Sequence, residues 1–135
     1  MSDTTQFDKA YSTCEIQILR DEDWRDSIVL QRLTADGSQA NLDFSDVAKL
    51  ELFIRPLFDH DSLIKKLSSD PLAGGEIQFD RAVAGAMQIT MSRANVIAQI
   101  PTGTWVQFLD MTHDSGVVEE LWRGPLIVYP GKITP

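Results

Sequence analysis

Lys49-Leu-Glu-Leu-Phe-Ile-Arg55 decides the fold class. Leu50, Leu52 and Ile54 fall on one parity, Lys49, Glu51 and Phe53 on the other, and Pro56 closes the run. Successive side chains on an extended backbone point to opposite sides, so this period of two describes a strand with one dry face and one wet face. The terminal proline fits, because it brings no N–H to a continuing ladder. Just upstream, Ala35-Asp-Gly-Ser38 is the sharpest turn signal, since Asp-Gly accepts positive φ and suits a tight hairpin. A short stretch from Leu42 to Phe44 joins the two and ends at Ser45-Asp46.

The same alternation recurs in both directions. Cys14, Ile16 and Ile18 oppose Glu15 and Gln17. After the acidic turn Asp21-Glu-Asp23, Trp24, Ile28 and Leu30 oppose Arg25, Ser27 and Gln31. Leu57 to Leu67 reads either as an amphipathic helical turn or as an edge strand with a bulge, and Ser68–Gly75 reads as a loop. Glu76–Asp80 and Ala86–Ser92 read as strands, the latter with Met87, Ile89 and Met91 on one face. Arg93–Ile100 reads as a single helical turn before Pro101. Thr104–Thr112, the loop His113-Asp-Ser-Gly116 and Val117–Arg123 form a hairpin, and Leu126–Tyr129 is the last strand. Eight or so short strands at this spacing predict an all-β sandwich over residues 13–135, preceded by a mobile segment 1–12.

Charge narrows the partners. The 135 residues carry 12 Lys and Arg against 20 Asp and Glu, a net charge of −8. Residues 1–70 hold most of the excess. Neutralising phosphates needs an excess of bases, so the balance disfavours nucleic acid and an anionic membrane surface. The single cysteine, Cys14, excludes an internal disulfide and reads as a small hydrophobe buried at the start of a strand. Met1–Asp8 has neither a basic nor an apolar region, which predicts no signal peptide and residence in a reducing cytoplasm. The longest uncharged stretch, Ala94–Leu109, contains Pro101 and Gly103 and does not read as a membrane span.

Reactive constellations are sparse. A nucleophile needs an oriented base, yet the two histidines, His60 and His113, sit near no nucleophile motif. Asp59-His60-Asp61 and His113-Asp114 offer nitrogen and oxygen ligands without the three or four that zinc sites show. Asp21-Glu22-Asp23 with Asp26 lacks the spaced pattern of a calcium loop. These read as solvated loop residues, and no catalytic, cofactor-binding or metal residue is assigned. Trp24 and Trp105 read as core. Leu121 and Trp122 have opposite parity, which predicts that only one of them faces inward.

Several short motifs follow one another in order. They are Asp23-Trp24, Ala35-Asp-Gly37, Asn41-Leu-Asp43, the strand ending Phe53-Ile-Arg55, Leu67-Ser-Ser69 and Met87-Gln-Ile89. The carboxy-terminal set is fullest: Ile100-Pro-Thr-Gly-Thr-Trp105, Asp114-Ser-Gly116, Leu121-Trp-Arg-Gly124 and Val128-Tyr-Pro130. This order, over residues 20–135, resembles small virion-associated proteins of tailed phages and prophages. In these, an Ig-like β-sandwich is similar to the amino-terminal domain of phage baseplate upper proteins. The resemblance implies a non-enzymatic structural or docking part of a tail or baseplate, located in the virion after assembly in the host cytoplasm. It implies other virion or tail proteins as partners, brings no catalytic residues or cofactor, and leaves a homo-oligomer open, while the acidic charge balance argues for no nucleic acid and no membrane. The acidic Leu57–Leu67 segment and the long 68–75 loop depart from the pattern, which implies a different partner if those regions dock one.

Within that frame Leu126–Tyr129, flanked by Pro125 and Pro130, reads as an edge strand, used either for assembly contacts or blunted against aggregation. A second reading is a sandwich that recognises carbohydrate, with calcium at Asp21, Asp23 and Asp59. A third is a hydrolase using His113 and Asp114.

Overall fold

The alternation of Lys49–Arg55 becomes strand β5 (Val47–Arg55), with Leu50, Leu52 and Ile54 fully buried on one face. This comes from a computed structural model that describes residues 14–59 and 61–130; segment 1–12 and His60 lie outside the described residues. The other strands are β1 (Ile16–Leu19), β2 (Trp24–Val29), β3 (Gln31–Leu33), β4 (Gln39–Asn41) and β6 (Lys65–Ser68). They continue with β7 (Ile77–Phe79), β8 (Ala86–Met91), β9 (Gly103–His113) and β10 (Val118–Tyr129). One helix, α1 (Arg93–Gln99), joins β8 to β9.

Five strands form one sheet in the order β1-β10-β9-β5-β6, three form a second in the order β2-β8-β7, and β3 pairs only with β4. All neighbours are antiparallel except β1, which runs parallel to β10 with Ile16 opposite Leu126 and Leu19 opposite Tyr129. Strands β2-β8-β7 facing β10-β9-β5-β6 reproduce the B-E-D and G-F-C-C′ sheets of an immunoglobulin-like sandwich. The inner faces meet in one core. Leu50, Leu52, Ile54, Leu109, Leu126 and Val128 come from the larger sheet, and Trp24, Ile77, Met87, Ile89 and Met91 from the smaller. Each such side chain stabilises the fold by about 1.5–3 kcal/mol through loss of apolar surface from water.

Several expectations need correction. Val117–Arg123 and Leu126–Tyr129 are one twelve-residue strand, β10, rather than two. Leu126–Tyr129 therefore lies between β1 and β9 and is no edge. Pro125 stops nothing, because β1 begins to pair only one residue later, at Leu126. Leu121 and Trp122 are both buried, at 0% and 5% exposure. A β-bulge between Glu120 and Trp122 inserts Leu121 as an extra residue, and the parity that forbids two neighbours from facing inward breaks there.

Leu57–Leu67 resolves into turns leading to the edge strand β6, and Ser68 belongs to that strand instead of to the loop. The rest of that loop holds a short 3-10 turn, Pro71–Ala73, capped by the Asp70 carboxylate, which accepts from Leu72 N–H. Helix α1 has seven residues, more than the single turn read from sequence. It stays within the span read, and its start is doubly capped: Ser92 Oγ accepts from Asn95 N–H, and Asp23 Oδ1 accepts from Arg93 N–H at 2.7 Å. Among the described residues, no helix is long and apolar enough to cross a membrane.

Candidate functional site

The three tryptophans are structural. Trp24 is buried, and its Nε1 donates to Asp26 Oδ2 at 2.8 Å, which accounts for a carboxylate on the inward parity of β2. Trp122 donates from Nε1 to Gln107 Oε1 at 2.6 Å. Gln107 is fully buried and donates from Nε2 to the Cys14 carbonyl at 2.7 Å. Trp105 packs half-buried against the core, with Nε1 donating to the Pro101 carbonyl. These rings are committed to packing, so a sugar would find only part of Trp105 at the surface. Cys14 is half-buried instead of fully buried; burial, and then the nearby Asp26 charge, push its thiol above the ordinary value, so it stays protonated.

The acidic groups read from sequence disperse. Asp23 caps α1 and reaches Arg25 at 3.5 Å. Asp59 accepts from Asp61 N–H and Ser62 Oγ within its own turn, and His60 between them lies outside the described residues. Among the described residues, no three His, Cys, Asp or Glu side chains are grouped to hold a metal ion. His113 and Asp114 do not form a dyad: Asp114 pairs with Arg81, while His113 turns the other way.

Two features remain. The first is the outward face of the five-stranded sheet, where side chains line up in rows across the strands. One row runs Lys66, Phe53, Phe108 and Arg123. The two rings stack with centroids 5.3 Å apart and planes 20° apart. Arg123 lies 5.0 Å from the Phe108 centroid, and Arg55 lies 5.8 and 5.7 Å from the Phe53 and Phe108 centroids, so one cation sits by Phe108 and the other beside both rings. The next row, Glu51, Asp110 and Glu120, is acidic. Glu51 pairs with Lys49 and Lys66 and Glu120 with Arg123, which offsets the like charges. Val106, Pro125 and Ile127 extend the apolar part, half-buried.

The second feature lies at the end of the sandwich, where β9 and β10 outrun the smaller sheet. There the β3–β4 hairpin flanks the inward face, and an open groove of about 380 Å3 lies between them. His113 and Glu119 stand on that face, and the segment from Leu42 to Asp46 closes one side. His113 Nε2 lies 2.7 Å from Glu119 Oε1, and Nδ1 lies 3.2 Å from Asp46 Oδ2 but off the hydrogen-bond line. Arg32 of β3 reaches Glu119 at 3.3 Å, while its Nε is buried and unpartnered. Burial draws the His113 pKa down, but the hydrogen bonds and charges of Glu119 and Asp46 outweigh it and leave the ring above its ordinary 6.5.

Phe53 was open to reading from sequence, being an aromatic on the wet parity of an alternating run. Arg32, Asp46 and Glu119 gave no sequence signal, because they meet His113 only through the fold. The chain matches no protein-family model and none of the curated proteins compared with it, so the sandwich wiring and these two surfaces stand by themselves.

Proposed function

We propose that this protein is a non-enzymatic structural and docking component of a phage or prophage tail or baseplate. The observation that carries the reading is the outward face of the five-stranded sheet. Protein interfaces are enriched in aromatic residues and arginine, and their energetic centres are typically such side chains partly shielded by neighbours. Phe53, Phe108, Arg55 and Arg123 offer that composition on a rigid support, with a mixed-charge rim of Lys66, Glu51 and Glu120 around it. The order of short motifs along the chain, from Asp23-Trp24 to Val128-Tyr-Pro130, supplies the virion context. Other tail proteins are the partners, met during assembly in the host cytoplasm.

The test is co-expression with the products of neighbouring genes, followed by size-exclusion chromatography with light scattering. A stoichiometric complex with a tail or baseplate protein, lost in Phe108→Asp while the variant keeps its β-sheet circular dichroism, is the expected result. Flanking genes unrelated to virions, together with a protein that stays monomeric and binds none of their products, overturn the reading.

A further inference from the structure

The groove beside the β3–β4 hairpin has a titratable group at its hinge side. His113 faces Glu119 from β10 and Asp46 from the β4–β5 connection. Arg32 faces it from β3 through Glu119, and Asp43 lines the same groove. Asp114, next in the chain, is taken up by Arg81, and its N–H donates to the Asp46 carbonyl at 2.7 Å. Arg81 also donates to the Ser45 carbonyl. His113 is thus the one titratable cation of the group, set between two carboxylates.

We propose that a proton on His113 is a latch: the imidazolium holds the Leu42–Asp46 segment, and with it the β3–β4 hairpin, against the end of the five-stranded sheet.

The chemistry follows from the ring. A neutral imidazole has one N–H and one lone pair, whereas the imidazolium has two N–H groups. With a carboxylate near each nitrogen, only the imidazolium attracts both: it donates to Glu119 and forms an ion pair, not an aligned hydrogen bond, with Asp46 at 3.2 Å. When the proton leaves to solvent, the ring keeps its shorter contact to Glu119 and turns a lone pair on Asp46. The Leu42–Asp46 segment then loses a tether, and it runs straight out of β4. The roots of the hairpin are fixed: Leu30, Leu42 and Phe44 are buried in the core, Leu30 N–H donates to the Gly85 carbonyl, and Arg81 and the Asp114 N–H hold the Ser45 and Asp46 carbonyls, so what the latch can release is the exposed hairpin beyond Leu42. It has three paired positions, no sheet neighbour, the Arg32–Glu119 pair, and a root bond from Leu42 N–H to the Leu30 carbonyl. A two-stranded hairpin is marginal by itself, so the charge on His113, added to the Arg32–Glu119 pair and the fixed roots, shifts how often it opens.

The sign is fixed by linkage. A group whose pKa is raised in the folded state stabilises it below the ordinary value of 6.5, and that contribution is lost as pH rises through the folded value. The latch is closed in mild acid and loosens towards alkaline pH, widening the groove between the hairpin and the sheet.

NMR titration tests this, following the His113 ring and the amide protection of residues 31–41 in one sample, with His60→Asn to remove the second histidine signal. The ring is expected to titrate above 6.5. Protection of the hairpin, corrected for intrinsic exchange, is expected to fall across that titration by ten to the power of the part of the displacement that Asp46→Asn removes. Asp46 is 65% exposed, so Asp46→Asn tests the tether without emptying the core. It should move the ring towards 6.5 and shrink the loss of protection in step. A ring titrating at or below 6.5, or hairpin protection that is flat through the titration, overturns the proposal.

Discussion

A glutamine at the centre of an apolar interior is stable only when both ends of its amide are engaged, and Gln107 meets that condition. Its Oε1 takes the Trp122 indole N–H, and its Nε2 serves the Cys14 carbonyl, which ties the start of the described chain to β9. Gln107→Leu keeps the volume but orphans both partners, at about 1–3 kcal/mol for each buried group left unsatisfied. A urea midpoint lowered without a change in slope is the expected readout. Gly124 belongs to the same knot: a Cβ there would stand 2.1 Å from the Cys14 carbonyl oxygen. Gly124→Ala therefore costs about 1–3 kcal/mol through overpacking, measured by thermal melting, and pushes β1 off β10. Gln107 was partly legible, since it shares parity with Trp105 and Leu109. The need for Gly124 was not, because it arises from a backbone passing over it from more than a hundred residues away.

At the scale of elements, alternation carried the prediction wherever one face is dry. Strands β5 and β8 fell where their parity put them, and β9 where its span put it. β10 did not, because Gly124-Pro125 imitates a stop and the bulge at Leu121 breaks the count. The β3–β4 hairpin was read from Asp36-Gly37, and the reason is local chemistry. Asp36 accepts from Ser38 N–H at 3.0 Å, from Ser38 Oγ and from Thr34 Oγ1, while Gly37 takes a φ of 88°. The hydroxyl of Thr34, then those of Ser38 and its amide, lower the Asp36 pKa to about 2 from 3.8. A depressed carboxylate contributes above its ordinary value and ceases to as pH falls through the folded one. The turn should therefore hold at pH 4 and loosen towards pH 2, seen as lost protection of the Ser38 and Thr34 amides. Asp36→Ala should remove that acid step altogether.

For the whole molecule, the two-sheet class was legible because class depends on period, and the pairing order was not, because it depends on which dry faces meet. The end-on groove was equally hidden: Arg32 and Glu119 lie 87 positions apart. The core itself makes a plain prediction. Leu109 is fully buried between β5 and β10, and Leu109→Ala should cost about 2–5 kcal/mol in a single cooperative transition followed by fluorescence and circular dichroism together.

The parallel seam between β1 and β10 has a mechanical consequence. The chain enters β1 at the Ile16 end and leaves β10 at the Tyr129 end, so tension applied between Cys14 and Pro130 pulls the two strands lengthwise past each other. All four paired positions are then strained together, where a hairpin tugged at its open end would peel one pair at a time. A domain strung between neighbours in a moving assembly would yield abruptly at high load, with β1 as its shear pin.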